Sequence, residues 1–119
     1  MITKSNLKNM LISTGFGHTS NDKYEKYYPF SDCSITVDFK NEKIIYPEDK
    51  GFKVNVATTI NFSEPENFVV LECVNRLLDK GYRSENIELE RTWSLGHEQK
   101  SGRADICVSD QNGKMLFIV

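Results

Sequence analysis

The spacing of apolar residues near the start of the chain predicts a short amphipathic helix. Leu7, Met10 and Leu11 recur at the three- and four-residue intervals that place side chains on one helical face. Gly15 follows this run, and glycine often ends a helix because it adopts left-handed backbone angles without steric cost. We therefore predict a helix over residues 3–14.

A second pattern, rich in aromatic and β-branched residues, runs over residues 24–46. It predicts a β-hairpin with strands at 35–39 and 43–46, because the two runs are separated by the polar segment KNEK. A further strand is predicted ahead of Pro29. Residues 47–61 are polar with scattered apolar positions, and we predict a linking loop there.

The clearest element of the pattern is a helix over residues 64–80. Ser63 and Glu66 have the spacing of a capping box, and Pro65 is tolerated in a first helical turn. Gly81 follows as a C-terminal stop. A single apolar stripe along this helix is predicted to pack on the core; it consists of Val70, Leu71, Cys73, Val74, Leu77 and Leu78.

Three strands are predicted after this helix. Ile87 and Leu89 alternate with charged residues and indicate a strand over 87–95, and GHEQKSG is predicted to be a loop. Strands at 103–109 and 115–119 flank Asn112 and Gly113, a dipeptide typical of hairpin turns. The predicted fold class is α+β: a helix followed by an antiparallel three-strand meander, preceded by an N-terminal helix and β-hairpin.

Length and composition limit the kinds of protein that this chain can be. It has 119 residues, 39% of them hydrophobic, which suits one small unit with an N-terminal region (1–61) and a second region (62–119). No apolar run approaches the roughly 20 residues that span a bilayer, so we expect a cytoplasmic protein without membrane contact. The net charge of -2 argues against nucleic-acid binding through a bulk positive field, although a local basic groove stays open.

The cysteines do not indicate a metal site or a disulfide framework. Cys33, Cys73 and Cys107 are odd in number and lack the short spacing of metal ligands. Two of them lie within apolar patterns. We predict that all three are small buried apolar side chains.

Asp105 is the residue with the most open interpretation. It occupies an alternate position in a strand that otherwise carries Ala104, Ile106 and Val108. One interpretation is a carboxylate that faces solvent. The other is a ligand for a hard cation such as Mg²⁺, which prefers oxygen ligands from adjacent elements.

The run from Pro65 to Val119 resembles a known nuclease family. Gly102, Arg103, Ala104 and Asp105 match a G-x-A-D element, Asn112 and Gly113 match a turn, and residues 116–119 match an apolar strand that leads to Glu-x-Lys. The family is the PD-(D/E)xK nuclease domain at the N-terminus of the restriction subunit of type I restriction enzymes. The preceding segment from Ile44 resembles the one ahead of this domain in restriction subunits and in some N6-adenine methylase-containing restriction proteins.

The resemblance implies a Mg²⁺-dependent DNA endonuclease, in which Asp105 is a metal ligand and a catalytic residue. The family's Glu-x-Lys, which supplies the other ligand and a charge-stabilising lysine, would follow Val119. We therefore expect Mg²⁺ in the complete parent domain, none bound to this chain, and no cleavage by the chain alone. The implied partners are DNA and the modification and specificity subunits of a restriction complex. The alternative is a non-catalytic DNA-positioning or interaction module of an N6-adenine methylase-containing restriction protein.

The family's helix carboxylate has two candidates here. Glu66 lies at the edge of the apolar stripe and is favoured as the second catalytic residue, although a capping box alone would also explain it. Glu72 lies nearly opposite and has the i,i+4 spacing of an ion pair with Arg76, although the register of the family could favour it as the helix carboxylate.

Three basic residues flank the predicted site strands. Arg91, Lys100 and Arg103 are candidates for contacts with DNA phosphates, or alternatively exposed strand charges. The apolar run 115–119 is expected to seek a partner strand, which predicts self-association of the chain through a strand edge.

Overall fold

The computed structural model describes residues 2–94 and 101–118, with backbone alone at 91–94, 101–104 and 117–118. In these ranges the chain forms two helices, α1 (Leu7–Ser13) and α2 (Glu66–Asp79). Short 3-10 turns lie at Glu48–Lys50, Ala57–Ile60 and Ser84–Asn86. The strands are β1 (Gly17–His18), β2 (Lys23–Tyr28), β3 (Cys33–Asp38), β4 (Lys43–Ile45), β5 (Lys53–Val54), β6 (Ile87–Ser94), β7 (Ser101–Ser109) and β8 (Met115–Ile118). The predicted α+β class is confirmed.

The first sheet is antiparallel, with the strand order β1-β2-β3-β4. The predicted hairpin corresponds to β3 and β4, and the strand expected ahead of Pro29 is β2. Helix α1 begins at Leu7, four residues later than predicted, and it buries Leu7 and Leu11 as their spacing predicted, while Met10 is half-buried. Strand β1 was not predicted, because two residues are too few to show a period of two.

The second sheet has the order β5-β6-β7-β8 and contains the predicted antiparallel meander, although β7 already begins at Ser101, within the predicted GHEQKSG loop, whose residues 96–100 lie outside the described ranges. Its first strand corrects the sequence interpretation of residues 47–61 as a linking loop. Lys53 and Val54 form β5, which pairs in parallel with Glu88 and Leu89 of β6. Two 3-10 turns lie in the same segment. The loop prediction was wrong there, because a two-residue strand is defined by its partner and carries no pattern of its own.

Helix α2 begins at Glu66, two residues later than predicted, and the predicted capping box does not form. The Ser63 hydroxyl and backbone N–H both donate to Asn61 Oδ1, so Ser63 is held in a turn before the helix. No side chain caps the helix at Pro65. The predicted C-terminal stop is confirmed, since α2 ends at Asp79, Lys80 is its C-cap, and Gly81 follows with φ +100°.

One buried cluster joins both sheets and both helices. It includes Leu11 of α1, Val37 of β3, Leu71 of α2 and Leu89 of β6, all 0% exposed. Polar contacts reinforce it: the Tyr28 hydroxyl donates to Asn75 Oδ1 at 2.6 Å across the interface between β2 and α2. The predicted stripe of α2 is buried as expected, except that Val70 and Cys73 are only half-buried, while Asn67, Phe68 and Asn75 join the buried face.

The cysteines agree with the prediction in part. Cys33 and Cys107 are buried, and Cys73 is half-buried. Within residues 2–94 and 101–118, neither helix combines the length and the apolar character that crossing a membrane requires.

Candidate functional site: an acidic cleft between α2 and β7

A cleft of about 340 Å³ opens beside the N-terminal end of α2, between the 3-10 turn Ala57–Ile60 and strands β6 and β7. Apolar side chains of Val56, Val70 and Leu89 form part of its wall. Its charged lining is entirely acidic among the described residues, and consists of Glu64, Glu66, Glu90 and Asp105. The cleft therefore attracts cations and repels phosphate groups.

The structure brings together the two carboxylates that the sequence singled out. Asp105 lies on β7 and Glu66 in the first turn of α2, and both line the cleft. Asp105 is half-buried, whereas Glu66 is exposed. Asp105 is therefore not a fully solvated strand carboxylate, and Glu66 has a position that the unformed capping box does not explain.

Glu72 occupies a different part of α2. Its carboxylate forms an ion pair with Arg76, as the i,i+4 spacing predicted. It lies beside Val69 and Cys73, away from the residues that line the acidic cleft. The geometry therefore favours Glu66 over Glu72 as the helix carboxylate of the candidate site.

Glu90 was missed by sequence reasoning and has an unusual backbone. Its φ is +55°, within an otherwise regular strand. Leu89 pairs with Ile106 and Arg91 pairs with Ala104, so the strand register is the same before and after Glu90. Glu90 therefore lies opposite Asp105, and the strand has no bulge there. A left-handed non-glycine residue costs on the order of 1–2 kcal/mol. Its only sequence signal was the charge alternation of the strand, which equally suits a solvent-facing side chain.

Asn67 was also missed, and it builds a wall of the cleft. Its side-chain amide donates to the backbone carbonyl of Thr58 at 2.7 Å and to that of Asn61 at 3.0 Å. These bonds fasten the 3-10 turn to the first turn of α2. A polar residue beside the apolar stripe was the available signal, but its partners could be found only in three dimensions.

Of the three basic residues predicted to contact DNA phosphates, the structure describes only the backbone of two. Arg91 lies on β6 and Arg103 on β7, one position apart on neighbouring strands. Their side chains, and the whole of Lys100, lie outside the part of the chain that the structure describes.

The cleft offers oxygen donors of the type that Mg²⁺ prefers, but not a complete ligand set. Among the described residues, no three Asp, Glu, His or Cys side chains are grouped closely enough to hold a metal ion. The side chains described here do not by themselves fit a magnesium centre.

No protein-family profile, no curated protein and no solved structure matches this chain.

Proposed function

We propose that this chain supplies part of the active site of a Mg²⁺-dependent DNA endonuclease, in a restriction subunit of the type I class. One observation carries the proposal: α2 and β7 bring Glu66 and Asp105, which are far apart in sequence, into one cleft. The resemblance implies a metal-ligand role for Asp105, and Glu66 is the favoured candidate for the family's helix carboxylate. The spacing of apolar residues along the chain does not predict that Glu66 and Asp105 lie in the same cleft.

The order of the elements supports the proposal. A helix, α2, is followed by the antiparallel strands β6, β7 and β8, which is the order expected from the resemblance. The turn between β7 and β8 is tight: Asp110 Oδ1 accepts the backbone N–H groups of Asn112 and Lys114, each at 2.9 Å, and Gly113 has φ +82°. The G-x-A-D match lies within β7 and ends at Asp105.

In this proposal Asp105 and Glu66 contribute carboxylate oxygens, and the Glu-x-Lys expected directly after Val119 contributes the remaining groups. The chain by itself is then catalytically inactive. The cleft has no basic group among its described lining, so a lysine from that motif would supply its missing positive charge.

A second candidate function is a non-catalytic DNA-positioning or interaction module of an N6-adenine methylase-containing restriction protein. It is favoured by the spread of the acidic side chains, of which no three are grouped for metal binding in the described ranges. In that case the carboxylates of the cleft contribute nothing to phosphodiester cleavage.

Two observations separate the candidates. The codons after Val119 are expected to encode Glu-x-Lys, and a stop codon there would contradict the nuclease proposal. The resemblance also implies ATP-driven motor domains in the parent, so the full gene product, assembled with its partner subunits and ATP, should cleave plasmid DNA with Mg²⁺. Asp105→Asn should lower that rate at least about 100-fold, equivalent to about 2.7 kcal/mol of transition-state stabilisation. The chain alone should show no cleavage. Asp105-dependent nicking by the chain alone, or full activity of Asp105→Asn in the assembled protein, would contradict the proposal.

A further inference from the structure

Positive charge outnumbers negative charge at the end of the β3–β4 hairpin. Lys40 lies in the turn and Lys43 begins β4, next to Asp38 in the strand register. Lys8 reaches the same place from α1, with its ammonium nitrogen 5.1 Å from the centre of the Phe39 ring. All three lysines are exposed. We call Lys8, Lys40 and Lys43 the basic hairpin end.

The acidic residues nearby offset only part of this charge, since Asp38 is a single carboxylate opposite Lys43 and Glu42 is paired with another lysine. Glu42 pairs with Lys4, and the Asp38 carboxylate accepts hydrogen bonds from Lys40 N, Asn41 N and Asn41 Nδ2. Within the described ranges, no carboxylate lies within ion-pair distance of Lys8, Lys40 or Lys43. The positive charge is notable because the chain as a whole has a net charge of -2.

Backbone and side-chain contacts connect the basic hairpin end to the wall of the acidic cleft. Lys43 forms an isolated antiparallel bridge with Asn61. The carbonyl of Asn61 accepts a hydrogen bond from Asn67, and Asn67 lines the cleft. The backbone at Lys43 is therefore connected to the wall of the acidic cleft through Asn61 and Asn67.

Aromatic rings form a second connection. The centre of the Phe39 ring lies 5.4 Å from that of Phe62, and the Phe62 ring lies 5.2 Å from that of Phe68 in α2. Both contacts have the edge-to-face geometry that aromatic pairs favour. The hairpin end is thus packed against the helix that carries Glu66.

An acidic cleft cannot by itself hold a polyanion. If DNA is the substrate, phosphates on either side of the reacting one must meet positive charge beside the cleft, since the cleft lining repels them. We propose that the basic hairpin end binds backbone phosphates of a DNA duplex that extends across the acidic cleft. The choice of DNA rests on the proposed function, whereas the location of the binding surface rests on the lysines.

The inference is tested by equilibrium binding of the chain to a fluorescently labelled DNA duplex, measured by anisotropy in EDTA at several salt concentrations. The variant Lys8→Gln/Lys40→Gln/Lys43→Gln should bind on the order of tenfold more weakly at low salt. The slope of log K against log salt should fall by about 1 for each lysine that contacts a phosphate. Circular dichroism checks that the variant remains folded.

Two matched variants complete the test. Lys53→Gln/Lys80→Gln/Lys114→Gln removes the same charge from exposed lysines elsewhere and should leave the affinity within about twofold, because the contacts with phosphate are local. Lys8→Arg/Lys40→Arg/Lys43→Arg keeps the charge and should retain binding. The inference would be overturned if both glutamine variants weakened DNA binding equally, or if the variant of the basic hairpin end kept its affinity. It would also be overturned if the unmodified chain did not bind DNA.

This outcome is independent of the cleavage assay. Asp105→Asn should bind DNA at least as tightly as the unmodified chain does, because it keeps all three lysines and removes one carboxylate that repels phosphate. If the basic hairpin end binds DNA but Asp105→Asn cleaves normally in the assembled protein, the proposed function fails and the binding surface stands. If cleavage depends on Asp105 but the glutamine variant of the three lysines binds DNA normally, the binding surface fails and the proposed function stands.

Discussion

At the scale of single residues, hydrogen bonds to carboxylates explain several features that sequence patterns do not contain. Asp38 organises the β3–β4 turn by accepting three hydrogen bonds from Lys40 and Asn41. The pKa of Asp38 is lowered, chiefly by the Asn41 side chain and then by its backbone N–H. The turn thus depends on the ionised form of this carboxyl.

This dependence predicts the effect of pH on Asp38→Asn. A carboxyl whose folded pKa lies below its unfolded value, about 3.9, stabilises the fold above that pH. The contribution is lost as the pH falls through the folded pKa. The variant should therefore melt at a lower temperature than the unmodified chain at pH 7, and the difference should shrink as the pH falls below about 4.

Thermal melts followed by circular dichroism at a series of pH values measure this difference. Asp49→Asn, at an exposed carboxyl in a 3-10 turn, is the control and should show little change at any pH. A melting difference for Asp38→Asn that is the same at pH 7 and pH 3 would contradict the assignment.

At the scale of elements, periodicity was a reliable guide wherever an element was long enough to show a period. Helix α2 and the strands from β6 to β8 were predicted because their apolar residues recur over several turns or pairs. The two-residue strands β1 and β5 were not predictable in this way. The capping box failed because Asn61, two residues before Ser63, competes for the same hydroxyl and N–H.

The contact between β2 and α2 gives a prediction about stability. Tyr28 is 1% exposed and its hydroxyl donates to Asn75 Oδ1. Tyr28→Phe leaves the buried Asn75 oxygen without this donor, which should cost about 1–3 kcal/mol in the free energy of unfolding. Urea denaturation measures the change.

The neighbouring tyrosine provides the control. Tyr27 is 56% exposed and its hydroxyl bonds to Asp32, so Tyr27→Phe should cost less than about 0.5 kcal/mol. Adding Asn75→Leu to Tyr28→Phe should recover part of the loss, because both polar partners are then removed together. Equal costs for the Tyr27 and Tyr28 variants would show that the buried hydrogen bond is not important.

At the scale of the whole molecule, the candidate site is assembled from parts that no single pattern links. The sequence identified Asp105 and Glu66 individually. Their shared cleft depends on the 3-10 turn that Asn67 fastens to α2, and on the backbone of Glu90 opposite Asp105. These are contacts between distant segments, and local propensity carries no information about them.

The sheet edge at β8 predicts self-association. In the described part of the second sheet, β8 is paired on one side by β7 only, and its Leu116 is 52% exposed. Strand edges with apolar side chains tend to pair with other chains. Sedimentation velocity should show a species larger than the monomer at high concentration, and Leu116→Lys should reduce it.

Ile12→Lys is the control for this effect. Ile12 is 58% exposed but lies on α1, so its replacement should leave self-association unchanged. A strictly monomeric chain at high concentration, or equal effects of the two lysine substitutions, would contradict the assignment to β8.

The most direct test of the account compares two glutamates of the same helix in the plasmid-cleavage assay of the assembled gene product. Glu66 lines the acidic cleft with Asp105, whereas Glu72 pairs with Arg76 outside it. Glu66→Gln should lower the Mg²⁺-dependent cleavage rate by on the order of tenfold or more, equivalent to at least about 1.4 kcal/mol, while Glu72→Gln should stay within about twofold of the unmodified protein. If Glu72→Gln lost cleavage while Glu66→Gln kept full activity, the assignment of Glu66 to the active site would be contradicted.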